Sequence, residues 1–124
     1  MSQLVLQAYL KLIHFHIYLA RGDFSALYKR VRNTRTSNAA SIPGAVERIC
    51  GAVDMACIWY WKEVLCLQRS AVTACMLKRY GVPALMVIGA QQIPFKAHAW
   101  VEVDGIVVND KIYTREMYVV LDRC

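Results

Sequence analysis

From the start of the chain to Ala20, the polar residues Gln3, Gln7, Lys11, His14 and Tyr18 recur every three or four positions in an otherwise apolar stretch. That spacing predicts a helix with one narrow polar stripe and apolar contacts on more than one side. Gly22-Asp23 interrupts it, and Asp23 is placed to cap a second helix from Phe24 to about Val31, packing Phe24, Leu27 and Val31. Asn33 to Ser41, rich in Asn, Thr and Ser, reads as a loop. A third helix is expected from Ser41, with Pro43 in its first turn, where the missing N–H costs little. Val46, Ile49, Cys50, Val53, Cys57 and Tyr60 follow at helical spacing, with Glu47, Arg48 and Asp54 off that face. After a turn near Lys62-Glu63, a fourth helix opens at Cys66 and stops at Gly81-Val82-Pro83.

Beyond Pro83 the pattern becomes that of strands: Ala84 to Gly89, Ala97 to Val103, Ile106 to Asp110 and Met117 to Leu121. Helices followed by consecutive strands predict an α+β domain with an antiparallel sheet. At 124 residues the chain suits one domain with a single modest core. Within it, residues 1–60 form a helical part and 61–124 the core that carries the candidate chemistry.

Composition narrows the function classes. Hydrophobic residues make up 57% and charged residues 19%, which excludes a wholly disordered chain and leaves apolar surface for a partner to cover. The net charge of +6 favours an acidic partner. Nucleic acid is not expected, because the cations lack interleaved exposed aromatics and no recognition motif occurs. Arg21, Lys29, Arg30, Arg32 and Arg35 face Asp23 alone between positions 21 and 35, which marks either a solvated face or a docking surface. Five cysteines, an odd number without zinc-ligand spacing, point to no disulfide framework, no metal and no cofactor, in a reducing cytoplasm. Lys11, His14 and His16 break the first apolar stretch, so stable membrane insertion is not expected.

Cys66, His98 and Asp110 supply the candidate catalytic chemistry. A first-turn cysteine feels the positive end of its helix, and the free N–H groups there can hold an oxyanion. His98 shares a strand face with Trp100 and Glu102, and Asp110 closes the following strand. A thiol activated by an imidazole that a carboxylate orients is the arrangement of papain-like hydrolases. The register matters. A two-residue Asp104-Gly105 turn pairs Ala99 with Asp110 and sets His98 and Asp110 on opposite faces. A three-residue Val103-Asp104-Gly105 loop pairs His98 with Asp110. A working triad therefore predicts a bulge, or an equivalent one-residue offset, between them. Cys50, Cys57 and Cys75 read as buried apolar residues. His14 and His16 read as surface or structural. Trp59-Tyr60-Trp61 serves either the core or a substrate cleft, and Gln91-Gln92-Ile93-Pro94-Phe95 reads as a loop near His98.

Cys66-Leu67-Gln68-Arg69-Ser70, Arg79-Tyr80-Gly81-Val82-Pro83-Ala84, Val87-Ile88-Gly89, Pro94 to Val103 with its His98-Ala99-Trp100, and Asn109-Asp110 together resemble the transglutaminase-like leader peptidases of lasso-peptide biosynthesis. The resemblance spans about Trp61 to Leu121, and the helices before it match only loosely. It implies a transglutaminase-like, papain-like core in which the nucleophile helix packs on the sheet. Its implied activity is a cysteine protease that removes the leader from a ribosomally made precursor, with Cys66 as nucleophile, His98 as base and then acid, and Asp110 fixing the tautomer. A separate ATP-dependent cyclase then closes the macrolactam. With no recognition domain ahead of Met1, the stand-alone type is expected, served by a separate leader-recognition protein. Two other classes share these residues: an acyltransferase that passes the acyl group to an amine, and a non-catalytic peptide-binding adaptor.

Overall fold

A computed structural model of the protein describes residues 3–39, 42–92, 95–112 and 114–124. Helices α1 (Gln3–Ala20), α2 (Phe24–Asn33), α3 (Ala45–Trp59) and α4 (Cys66–Arg79) come first. They are followed by β1 (Ala84–Gln92), β2 (Phe95–Val103), β3 (Ile106–Val107), the short α5 (Thr114–Met117) and β4 (Val119–Arg123). The strands form one 4-stranded sheet in the order β3-β2-β1-β4, with every pairing antiparallel. The chain is an α+β protein, as the pattern predicted.

Local chemistry sets the element boundaries. Asp23 caps α2, its Oδ1 accepting from the Ala26 N–H at 3.1 Å, and Leu27 and Val31 are buried. Phe24, expected to pack beside them, is exposed instead. α3 begins at Ala45 rather than at Ser41, which lies outside the described residues. Gly44 adopts the left-handed conformation at φ 67° and closes a turn in which the Ala45 N–H donates to the Ile42 carbonyl at 3.1 Å. Pro43 lies in that turn, before the helix. Of the aromatic triplet, Tyr60 is buried and meets the Tyr9 ring, whereas Trp59 and Trp61 are exposed. Cys75 is buried, but Cys50 and Cys57 are only half-buried. Gln91, Gln92 and Phe95 belong to strands and not to a loop, while Ile93 and Pro94 lie outside the described residues.

The two faces of the sheet carry different cores. Ala84, Met86 and Val101 join the helical residues Leu12, Phe15, Ile49, Val53 and Met76 in the larger one. On the opposite face Val87, Trp100 and Val107 pack with Tyr118 and Val120. Buried polar side chains tie the helices together. Gln68 donates to the Leu12 carbonyl at 2.7 Å, joining α4 to α1. The Lys78 ammonium donates to the Val31 carbonyl at 2.8 Å and to the Cys124 carbonyl at 3.3 Å. Among the described residues no helix is long and apolar enough to cross a membrane.

Candidate active site

Cys66 and His98 lie on the helix and strand the pattern predicted, whereas Asp110, expected to close the strand from Ile106, lies past its end at Val107. Cys66 is the first residue of α4, half-buried and unoxidised. The preceding residue, Leu65, has no side chain able to cap, so no side-chain cap occupies the first-turn N–H groups. His98 sits in β2 on the same face as Trp100, with ring centroids 6.0 Å apart, and also stacks on Tyr118 at 5.3 Å. Asp110 lies beyond β3, in a bend. The structure brings the last two together, with His98 Nε2 2.5 Å from Asp110 Oδ2. An ionised carboxylate only accepts, so Nε2 carries the proton and the ring's free lone pair falls on Nδ1. Among the described residues, no hydrogen bond joins the Cys66 sulfur to the imidazole.

The connection between His98 and Asp110 corrects the three-residue loop. Asp104 and Gly105 both have positive φ, 51° and 78°, and Val103 pairs with Ile106 and Glu102 with Val107. This is the two-residue turn, which left alone would place the two side chains on opposite faces. The offset arises further along. The Val108 N–H donates to the Val101 carbonyl at 3.0 Å, as the ladder requires. The return bond, however, is taken by a side chain: the Val101 N–H donates to Asn109 Oδ1 at 2.7 Å. Asn109 thus stands in for the Val108 carbonyl, the chain leaves the ladder after Val107, and Asp110 is free to turn onto His98.

Asn109 also reaches α4. Its Nδ2 donates to Ser70 Oγ at 3.1 Å, and Ser70 Oγ donates to the Ala99 carbonyl at 3.0 Å. In β2 the N–H and C=O of Ala99 and Val101 point toward the β3 side, which β3 is too short to cover at Ala99. Ser70 and Asn109 fill that exposed edge. Ser70 lies four residues after Cys66, so the two share a helix face just over one turn apart, about 6 Å along the axis. The start of α4 is therefore anchored beside the strand residue that follows His98. The Arg69 guanidinium adds a longer contact, 3.5 Å, to the Asn109 carbonyl.

Electrostatics favour an ionised Asp110. Burial pushes its carboxyl upward, but the hydrogen bonds from His98 and from the Lys111 N–H, with the attraction of His98 and Arg69, together hold it below the usual carboxylate range. Three other thiols are held away from the thiolate form. Burial, then the charges of Asp54 and Glu47, pushes Cys50 up to about 11. Burial likewise raises Cys57 and Cys124. Among the described residues, no cluster of histidine, cysteine and carboxylate side chains is arranged to hold a metal ion.

The model of the transglutaminase-like superfamily matches residues 9–123. The chain belongs to the transglutaminase-like superfamily. No curated protein and no solved structure matches it. The match begins in α1, so it takes in the helices that carried only a loose resemblance to the leader peptidases. Residue-by-residue reading of the sequence missed Ser70 and Asn109. Their only trace there was their place in the motifs beside Cys66 and Asp110.

Proposed function

We propose that this transglutaminase-like protein is a cysteine peptidase that removes the leader from a ribosomally synthesised lasso-peptide precursor. The observation that carries the reading is the His98–Asp110 hydrogen bond, made although the turn register opposes it. In this reading Nδ1 takes the proton of the Cys66 thiol, and the sulfur attacks the scissile carbonyl. First-turn N–H groups of α4 stabilise the oxyanion, each donor contributing on the order of 3 kcal/mol. The imidazolium then protonates the leaving amine, which frees the core peptide, and the acyl-enzyme holds the leader. Water deprotonated by Nδ1 releases the leader as an acid. No cofactor takes part in this chemistry. The work is done in the cytoplasm beside two partners, a separate leader-recognition protein and an ATP-dependent cyclase that acts on the freed amine. Exposed Leu6, Leu10, Ile13 and Ile17 on α1 offer these partners an apolar face. Exposed Trp59 and Trp61, just before α4, offer aromatic surface for a substrate to lie against.

The test combines the protein, a synthetic leader–core peptide and the recognition protein, with mass spectrometry of the products. The expected outcome is a leader fragment with a free carboxyl end, lost in Cys66→Ala and in His98→Ala. A leader joined to an amine would identify an acyltransferase, and full function in Cys66→Ala would identify a binding adaptor.

A further inference from the structure

Away from the candidate active site, α1, α2 and α4 turn cationic side chains toward one another. Lys11 and His14 of α1, Arg30 of α2 and Arg79 of α4 line a cleft of about 560 Å³, with Gln7 and Leu10 beside them. An adjoining cleft of about 350 Å³ shares those four side chains and adds Arg35. No carboxylate lines either one. Among the described residues, none of Lys11, Arg30, Arg35 and Arg79 forms an ion pair. His14, Arg30, Arg35 and Arg79 are exposed and Lys11 is half-buried, so cations from three helices border one open concavity. Burial, then Arg79 and Arg30, lowers the Lys11 pKa, and only the Cys75 thiol opposes this. Burial, then Arg30 and Lys11, lowers that of His14. The fold thus holds like charges together with nothing of opposite sign between them.

We propose that this double cleft binds the carboxylates of an acidic peptide segment. Two adjoining concavities with a common cationic wall suit successive carboxylates on one chain, whereas a single phosphate would fill a small part of the volume. The Gln7 Nε2, whose amide oxygen already accepts from the Tyr80 hydroxyl at 2.9 Å, and the Leu10 side chain supply the hydrogen-bond donor and apolar contact a peptide needs between its charges. The net charge of +6 adds long-range attraction for such a segment. This inference goes beyond the peptidase reading and stands whether or not Cys66 cleaves anything.

The experiment uses the full chain carrying Cys66→Ala, which removes catalysis from the measurement. NMR follows the imidazole titrations of His14 and His16 with hexaglutamate, with inorganic phosphate and with hexathymidylate. His16 is an internal control on the same helix, set against Trp61. Hexaglutamate is expected to raise the His14 pKa by about half a unit or more and leave His16 in place. Arg30→Ala and Arg79→Ala should each weaken hexaglutamate binding about threefold to tenfold. Lys29→Ala, which removes an exposed α2 cation that lines neither cleft, should not. An unmoved His14, equal weakening by Lys29→Ala, or phosphate or hexathymidylate binding as tightly as hexaglutamate would each overturn the proposal.

Discussion

The His98 ring is held from three sides, by the Asp110 carboxylate, by Trp100 and by Tyr118. Asp110 fixes which nitrogen carries the proton, so Asp110→Asn, whose amide can offer a donor to Nε2, should select the wrong tautomer. The proposed peptidase activity should fall by roughly 10²–10⁴-fold while the fold persists. The carboxyl's folded pKa is depressed below 3.8, so its stabilising effect is complete at neutral pH and is lost as pH falls through that lowered value. Urea unfolding between pH 2 and pH 7 should show wild type and Asp110→Asn converging only at the acidic end. A stability gap that does not narrow as the pH falls contradicts this account. Cys66, His98 and Asp110 were legible in the sequence because each sits in a distinctive local context. Ser70 and Asn109 were not, because a serine on a helix and an asparagine after a strand acquire a role only from the edge they fill.

Among the elements, β1 and β2 do the most to hold the imidazole in place. Gly89 pairs with His98 across the ladder, and a methyl group added there would sit 2.6 and 2.8 Å from Trp100 ring carbons and 2.9 Å from Tyr118 Cβ. Trp100 is fully buried and cannot yield. Gly89→Ala should therefore cost about 1–3 kcal/mol, measured by urea unfolding, and reduce activity through the two rings that flank His98. Unchanged stability would show that the neighbours do give way. The helix and strand periods located the main elements, whereas their ends needed more. Asp104-Gly105 suits both turn types, and only the pairing of Val103 with Ile106 shows which one forms. Likewise α5 and the start of β4 at Val119 depend on packing across the outer face, where Tyr118 and Val120 cover Trp100.

In the molecule as a whole, Glu102 links parts of the chain that are distant in sequence. Its side chain is buried, accepts from Trp100 Nε1 at 2.9 Å, and lies 3.5 Å from Arg115 and 3.9 Å from Arg123. It thereby joins β2 to α5 and β4. Glu102→Ala would leave a buried indole N–H unpaired and two guanidinium groups without their carboxylate. A loss of about 1–3 kcal/mol is expected, chiefly from the unpaired indole N–H, with Glu102→Gln losing less because its amide oxygen still accepts from the indole. Equal stability of all three proteins in thermal unfolding would refute this role.

The sequence by itself determined the order of helices and strands, the α+β class and the three candidate reactive residues, because periodicity, caps and local composition act over a few neighbouring positions. Only the tertiary structure decided how Asp110 comes to His98 and how the start of α4 is fixed to β2. Both depend on an edge of β2 that the short β3 leaves uncovered and that Asn109 and Ser70 fill. Satisfying that edge requires groups 29 and 39 residues apart to meet, which no local pattern encodes.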